Sequence, residues 1–71
     1  MMNQTEVILR KARGGYVARG ESARRLSLVT GLPTYAYGRS VKLPIPREAL
    51  AITLADIARS AYSAVMVDRA A

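Results

Sequence analysis

The sequence contains no cysteine, no histidine, no phenylalanine and no tryptophan. Without cysteine the chain forms no disulfide bond, and without cysteine or histidine it lacks the usual zinc ligands. The same absence removes the side chains that most often serve as nucleophile or general base, and the five carboxylates show no catalytic spacing. We therefore expect a protein that is not an enzyme and that binds no metal ion and no cofactor.

Large apolar side chains are also scarce. Apolar residues make up 51% of the 71 residues, but twelve of them are alanine, so valine, isoleucine, leucine, methionine and four tyrosines must fill the interior. Such a core stabilises a small domain only marginally, and oligomerisation is the remaining support once disulfides and zinc are excluded. We expect a single domain over residues 1–71 that forms a homodimer.

No run of apolar residues approaches the roughly 18–20 residues that a membrane-spanning helix requires. The first residues, Met-Met-Asn-Gln-Thr-Glu, lack the basic start and the apolar stretch of a signal peptide. The expected location is therefore the cytoplasm, and no membrane partner is expected. Arginine outnumbers lysine nine to two and alanine is abundant, a bias typical of GC-rich bacteria and their phages.

The positive charge is concentrated in the first two thirds of the chain. The net charge is +6, and residues 1–47 contain nine of the eleven basic residues with only Glu6 and Glu21 as acids. This part of the chain is suited to a nucleic acid or to an acidic protein surface. Its basic residues alternate with tyrosines, a mixture typical of surfaces that contact phosphates and stack on bases. The predicted partner-binding residues are Arg10, Lys11, Arg13, Tyr16, Arg19, Arg24, Arg25, Arg39 and Lys42.

The segment after Pro46 has the clearest pattern in the sequence. It contains no glycine and no further proline, it is rich in alanine and leucine, and apolar side chains recur at helical spacing from Leu50 to Val65. We predict one long amphipathic helix over about residues 47–69. Four apolar side chains lie off its main stripe and form the predicted dimer interface: Ile52, Tyr62, Met66 and Val67.

The first twenty residues predict a β-hairpin. Residues 5–13 form the first strand, Gly14-Gly15 suits a two-residue turn, and residues 16–19 return antiparallel. This register places Arg10 opposite Arg19, and like charges that face each other are unfavourable. A bound anion, splayed side chains or a neighbouring glutamate could each relieve the repulsion.

Residues 21–30 fit two alternatives. They are predicted to form either a short helix capped at Ser22 and stopped by Gly31, or a strand with Leu26 and Leu28 on one face. The β-branched residues at the end of the segment favour the strand slightly.

Residues 35–45 predict one or two further strands. An uninterrupted strand would bury Arg39 among apolar neighbours, and one extra residue at Gly38 removes that conflict by reversing the alternation of faces. We therefore predict irregular backbone at Gly38. The same glycine argues against a helix-turn-helix motif, because it would lie in the middle of the recognition helix.

The predicted fold is α+β, with a small, mostly antiparallel sheet of three to four strands over residues 5–45 and then the C-terminal helix. Three functions fit these features. The first is a non-enzymatic module that binds nucleic acid or a nucleoprotein assembly through a basic hairpin and sheet face. The second is a small inhibitor or adaptor of the kind that phages encode, which covers the surface of a host protein complex. The third is a structural subunit of a larger assembly.

Overall fold

The computed structural model describes residues 4–68, with the backbone alone described at Tyr37. These described residues form five strands and two helices. In order, these are β1 (Glu6–Ala12), β2 (Gly15–Arg19), α1 (Glu21–Thr30), β3 (Tyr35–Tyr37), β4 (Ser40–Pro46), a 3-10 turn (Arg47–Ala49) that leads into α2 (Leu50–Ala58), and β5 (Ser63–Val67).

The five strands form one mixed sheet in the order β3-β4-β2-β1-β5. Strand β5 runs parallel to β1, and the other neighbours are antiparallel. The prediction of an α+β protein has the right class and the wrong architecture. The sheet has five strands instead of three or four, and two short helices replace the single long one.

The predicted helix over residues 47–69 is wrong because helical structure ends at Ala58. The Ser60 hydroxyl donates a hydrogen bond to the Ile57 carbonyl at 2.6 Å and accepts one from the Tyr62 N–H at 3.0 Å, which satisfies backbone groups at the end of the helix. The following residues include Val65 and Val67, whose β-branched side chains favour strands. Pairing with β1 along the whole of β5 decides the conformation of this segment.

The predicted hairpin exists, but its register differs from the prediction. Arg13 and Gly14 form the turn, Ala12 pairs with Gly15, and Arg10 pairs with Val17. The predicted opposition of Arg10 and Arg19 therefore does not occur, and the anion site between them loses its basis.

Gly15 accounts for the observed register of the hairpin. A Cβ atom there would overlap the carbonyl oxygen of Ile45 in the neighbouring strand, so this position must be glycine within β2. Gly14 supplies the positive φ of the turn, at 78°.

Residues 21–30 form helix α1, so the slight preference for a strand is wrong. Gly31 ends the helix with a φ of 77°, and its N–H donates to the Ser27 carbonyl. Ser22 does not cap the helix. It is buried, and its hydroxyl accepts a hydrogen bond from the Ile8 N–H at 2.9 Å.

The predicted break at Gly38 is confirmed. Gly38 has a φ of 61° and forms the β3–β4 turn together with Arg39, since Tyr37 pairs with Ser40. Arg39 is exposed in that turn, and the alternation after it directs Val41 towards the helices.

Both helices lie on one face of the sheet. Helix α1 packs on β1, β2 and β4, and α2 packs on α1 and β5. The buried side chains between the layers are Val7, Leu9, Ala18, Ala23, Leu26, Leu43, Ile45 and Ile57. Neither helix of the described residues is long and apolar enough to cross a bilayer. Within residues 4–68, no element covers the other face of the sheet, which we call the open face.

Candidate binding surface

Three side chains form a row across the open face. Lys42 on β4 pairs with Arg19 on β2 and with Tyr35 on β3, and paired residues of neighbouring strands project on the same side of a sheet. Adjacent strands lie about 4.8 Å apart, so Arg19 and Lys42 hold two positive charges side by side. Tyr35 is 54% exposed at the end of the row.

Arg10 adds a third positive charge to this side. It pairs with Val17, whose other neighbour is Pro44, so Arg10, Val17 and Pro44 form the next row. Arg10 therefore lies diagonally across from Arg19 and not opposite it. We call Arg10, Arg19, Lys42 and Tyr35 the basic face. The acid on the same side of β1 is Glu6, two rows away from Arg10.

A groove lies beside the basic face. It is a depression of about 380 Å³, and its lining includes Val17 and Pro44 together with Arg13, Arg19 and Lys42. An apolar floor bordered by cations suits a ligand that combines a flat apolar part with negative charge. Arg13 lies in the β1–β2 turn and lines this groove together with residues of β2 and β4.

Like charges in direct cross-strand opposition are unfavourable, and Arg19 and Lys42 are in that position. The sequence predicts such a conflict between Arg10 and Arg19, whereas the structure has it one strand further along. An anion bound above the pair would remove the repulsion.

The Tyr16 side chain packs against the core on the helix side of the sheet, although the residue also lines the edge of the groove. Its hydroxyl donates a hydrogen bond to Asp68 Oδ1 at 2.8 Å and so ties β2 to the residue after β5. That hydrogen bond, with desolvation and the charge of Asp68 acting in the same direction, raises the pKa of Tyr16 above its ordinary value of 10.0. Lys11 shares this side, and it lines a second depression of about 360 Å³ with Tyr16 and Arg47.

The remaining predicted residues lie elsewhere. Arg25 on α1 donates to the Glu6 carbonyl at 2.8 Å, and its side chain is only 12% exposed, so it stabilises the fold. Arg24 is exposed on the helix layer, 3.6 Å from Glu21. Arg39 lies in the β3–β4 turn. Of the nine predicted residues, Arg13, Tyr16, Arg19 and Lys42 line the groove. Arg10 lies in the neighbouring row of the open face, paired with Val17.

The predicted dimer residues do not form one helix face. Ile52 is exposed on α2, Tyr62 lies in the loop before β5, and Met66 and Val67 are consecutive in β5 and so project to opposite faces. The helix interface is therefore wrong, because the helix that would carry it ends at Ala58. The homodimer itself stays a prediction.

The sequence interpretation missed the apolar part of the site. Val17 and Pro44 form the floor of the groove, and neither carries charge or an obvious motif. The available signal is the two-residue spacing of Val17 with Arg19 and of Lys42 with Pro44, which places each pair on one face of a strand. That signal becomes useful only once the strand register is known.

Comparisons of the chain with protein-family models, with curated proteins and with solved structures found no match. Function must therefore be argued from the open face itself.

Proposed function

We propose that the protein is a non-enzymatic binding module that holds single-stranded nucleic acid on its basic face. The observation that carries this proposal is the row of Tyr35, Lys42 and Arg19 beside the groove. Phosphate groups provide the anion that the Arg19–Lys42 pair favours, and an exposed tyrosine provides a ring for an unpaired base.

The shape of the surface favours a single strand over a duplex. A base can stack on Tyr35 only when it is unpaired, and an open sheet face accepts a strand laid across it. Recognition of duplex DNA through the major groove commonly uses a basic helix or ribbon. Helix α1 has two arginines, but Arg25 is engaged with the Glu6 carbonyl and Arg24 lies beside Glu21.

The proposal is tested by fluorescence anisotropy with a labelled oligonucleotide of about 12 residues. We expect Arg19→Ala with Lys42→Ala to weaken binding at least about tenfold and to lower the salt dependence of log K by about 1.4, that is about 0.7 for each lost phosphate contact. The matched control is Arg24→Ala with Arg59→Ala, which removes the same charge from exposed positions on the helix layer. Equal losses from the two double variants would show that net charge alone drives binding.

Tyr35→Ala separates nucleic acid from the alternative partner, an acidic protein surface covered by an inhibitor or adaptor. Stacking on one base contributes about 1–3 kcal/mol, so a nucleic-acid module should lose about five- to 150-fold in affinity. Tyr35→Phe keeps the ring and should bind nearly as well as the original chain. No oligonucleotide binding at low salt by the original chain would contradict the proposal and leave the acidic protein surface as the better hypothesis.

A further inference from the structure

Strand β5 forms an edge of the sheet with an uncharged sequence. Its five residues, Ser-Ala-Val-Met-Val, pair with β1 on one side, and no other described strand lies on the outer side. Ser63 donates its N–H to the Thr5 carbonyl at 2.8 Å, towards β1. Because backbone groups alternate in direction along a strand, the N–H and C=O of Ala64 and Met66 point outward.

The two edges of the sheet differ in how they are protected. At the other edge, β3 has only three residues and ends in a turn that carries Arg39. Strand β5 has none of the usual edge protection, since it contains no lysine, no proline and no other charge. Met66 is 37% exposed on one side, and Val65 and Val67 are partly exposed on the other. The outer edge of β5 is therefore a template for a further strand.

We propose that β5 pairs antiparallel with β5 of a second copy of this chain, centred on Val65. In this register Ala64 of each copy lies opposite Met66 of the other, and the outward groups of these residues form about four backbone hydrogen bonds. The two five-stranded sheets join into one. A two-fold axis perpendicular to the sheet relates the copies, so both open faces lie on the same side.

The charges beside β5 favour a second copy as the occupant. Val67 pairs with Arg10 on β1, and Ser63 pairs with Glu6. Antiparallel pairing places Val67 of one copy opposite Ser63 of the other, so the row containing Arg10 continues into the row containing Glu6 of the second copy. The strand itself has no charge to repel its symmetry mate. Pairing also covers the outer edge of β5 in both copies. No β5 edge is then left for a third copy, so association stops at two.

The dimer brings three of the four predicted interface residues to the new contact. Met66 and Val67 lie in β5, and Tyr62 immediately precedes it. Dimerisation is independent of nucleic acid, so a failure of the binding proposal leaves this inference standing. If both are correct, the dimer presents two basic faces to one strand, which raises the avidity of binding.

Sedimentation equilibrium of the full chain without nucleic acid tests the dimer. We expect a dimer in the tens of micromolar range, and we expect Met66→Pro to raise its dissociation constant at least about tenfold, because proline removes the outward N–H from each copy. Met66→Leu is the matched control, since it keeps the N–H and a similar volume. Circular dichroism checks that each variant is folded. A monomer at about 100 µM for the original chain overturns the proposal.

A single introduced cysteine tests the register, because the natural chain has none. In the proposed pair Val65 faces its own symmetry mate at a non-hydrogen-bonded position, where Cα atoms lie about 4.5 Å apart, within the range of a disulfide. Val65→Cys should therefore cross-link under mild oxidation. Ser63→Cys should not cross-link, because Ser63 of the second copy lies four residues further along the strand. This test stands even if Met66→Pro fails to fold, and slow, equal cross-linking of both variants overturns the register.

Discussion

Ser22 on α1 completes the hydrogen bonding of Ile8 on β1. The Ser22 hydroxyl accepts the Ile8 N–H at 2.9 Å, at a point where the ladder between β1 and β2 has already ended at the Arg10–Val17 pair. The Arg25 guanidinium binds the Glu6 carbonyl on the same side of the strand. A helix side chain therefore takes the place of the missing β2 partner, and α1 is fixed to the sheet by polar contacts as well as by the core.

Ser22→Ala should lower the free energy of unfolding by about 1–3 kcal/mol, because it leaves the partly buried Ile8 N–H without the Ser22 hydroxyl as its acceptor. Urea denaturation measures the change. Ser40→Ala, at an exposed position in β4, is the control and should change the free energy by less than about 0.5 kcal/mol. A similar small effect at Ser22 would mean that water replaces the hydroxyl.

Gly15→Ala should cost at least about 3 kcal/mol, because the added methyl group overlaps backbone atoms of Ile45 that cannot move without breaking the β2–β4 ladder. Gly14→Ala is the informative comparison. Its φ of 78° is strained for alanine, but no atom lies within 4 Å of the new Cβ, so about 1–2 kcal/mol is expected. Thermal and urea unfolding should rank the two variants in that order, and the reverse order would contradict the register of the hairpin.

Gly38→Val should cost more than about 1 kcal/mol, since a β-branched residue is strained at a φ of 61°. The site is open, with no atom within 4 Å of an added Cβ, so backbone strain is the whole effect. Gly38→Asn should be milder, because asparagine tolerates the left-handed region. Equal urea stabilities for the two variants would mean that the β3–β4 turn relaxes to negative φ.

Tyr16 should titrate at higher pH than a free tyrosine, because its hydroxyl donates a hydrogen bond to the Asp68 carboxylate. The folded state thus favours the neutral phenol. This contribution to stability is complete below the unfolded pKa of about 10 and is lost as the pH rises through the raised folded pKa. NMR titration of the Tyr16 ring signals measures the shift, and Asp68→Asn should lower the pKa of Tyr16 towards its ordinary value.

Part of this architecture could be predicted from local sequence. The glycines at positions 14 and 38 mark turns by their backbone freedom, and the alternation around them predicts strands. The basic character of the open face follows from the charge count of residues 1–47. These predictions hold because each depends on residues close together in the chain.

The errors arise where distant residues decide the outcome. Residues 59–67 continue an alanine-rich helical pattern, yet β5 forms because β1 offers it a parallel ladder. The hairpin register depends on the contact of Gly15 with Ile45, thirty positions later in the sequence. The alignment of Arg19 with Lys42 depends on that register. The residues of the site therefore could not be grouped correctly from the sequence before the strand register was known.

The parallel ladder of β1 with β5 joins segments near opposite ends of the sequence, from the Glu6–Ser63 pair to the Arg10–Val67 pair. Its contact order is therefore high, and the entropy of closing so long a loop must be overcome before any of its hydrogen bonds forms. Strand β1 lies between β2 and β5 in the finished sheet, but it remains at an edge until β5 pairs with it. Folding of this small chain should accordingly be rate-limited by formation of the β1–β5 ladder, and it should be slower than the folding of a helical protein of the same length.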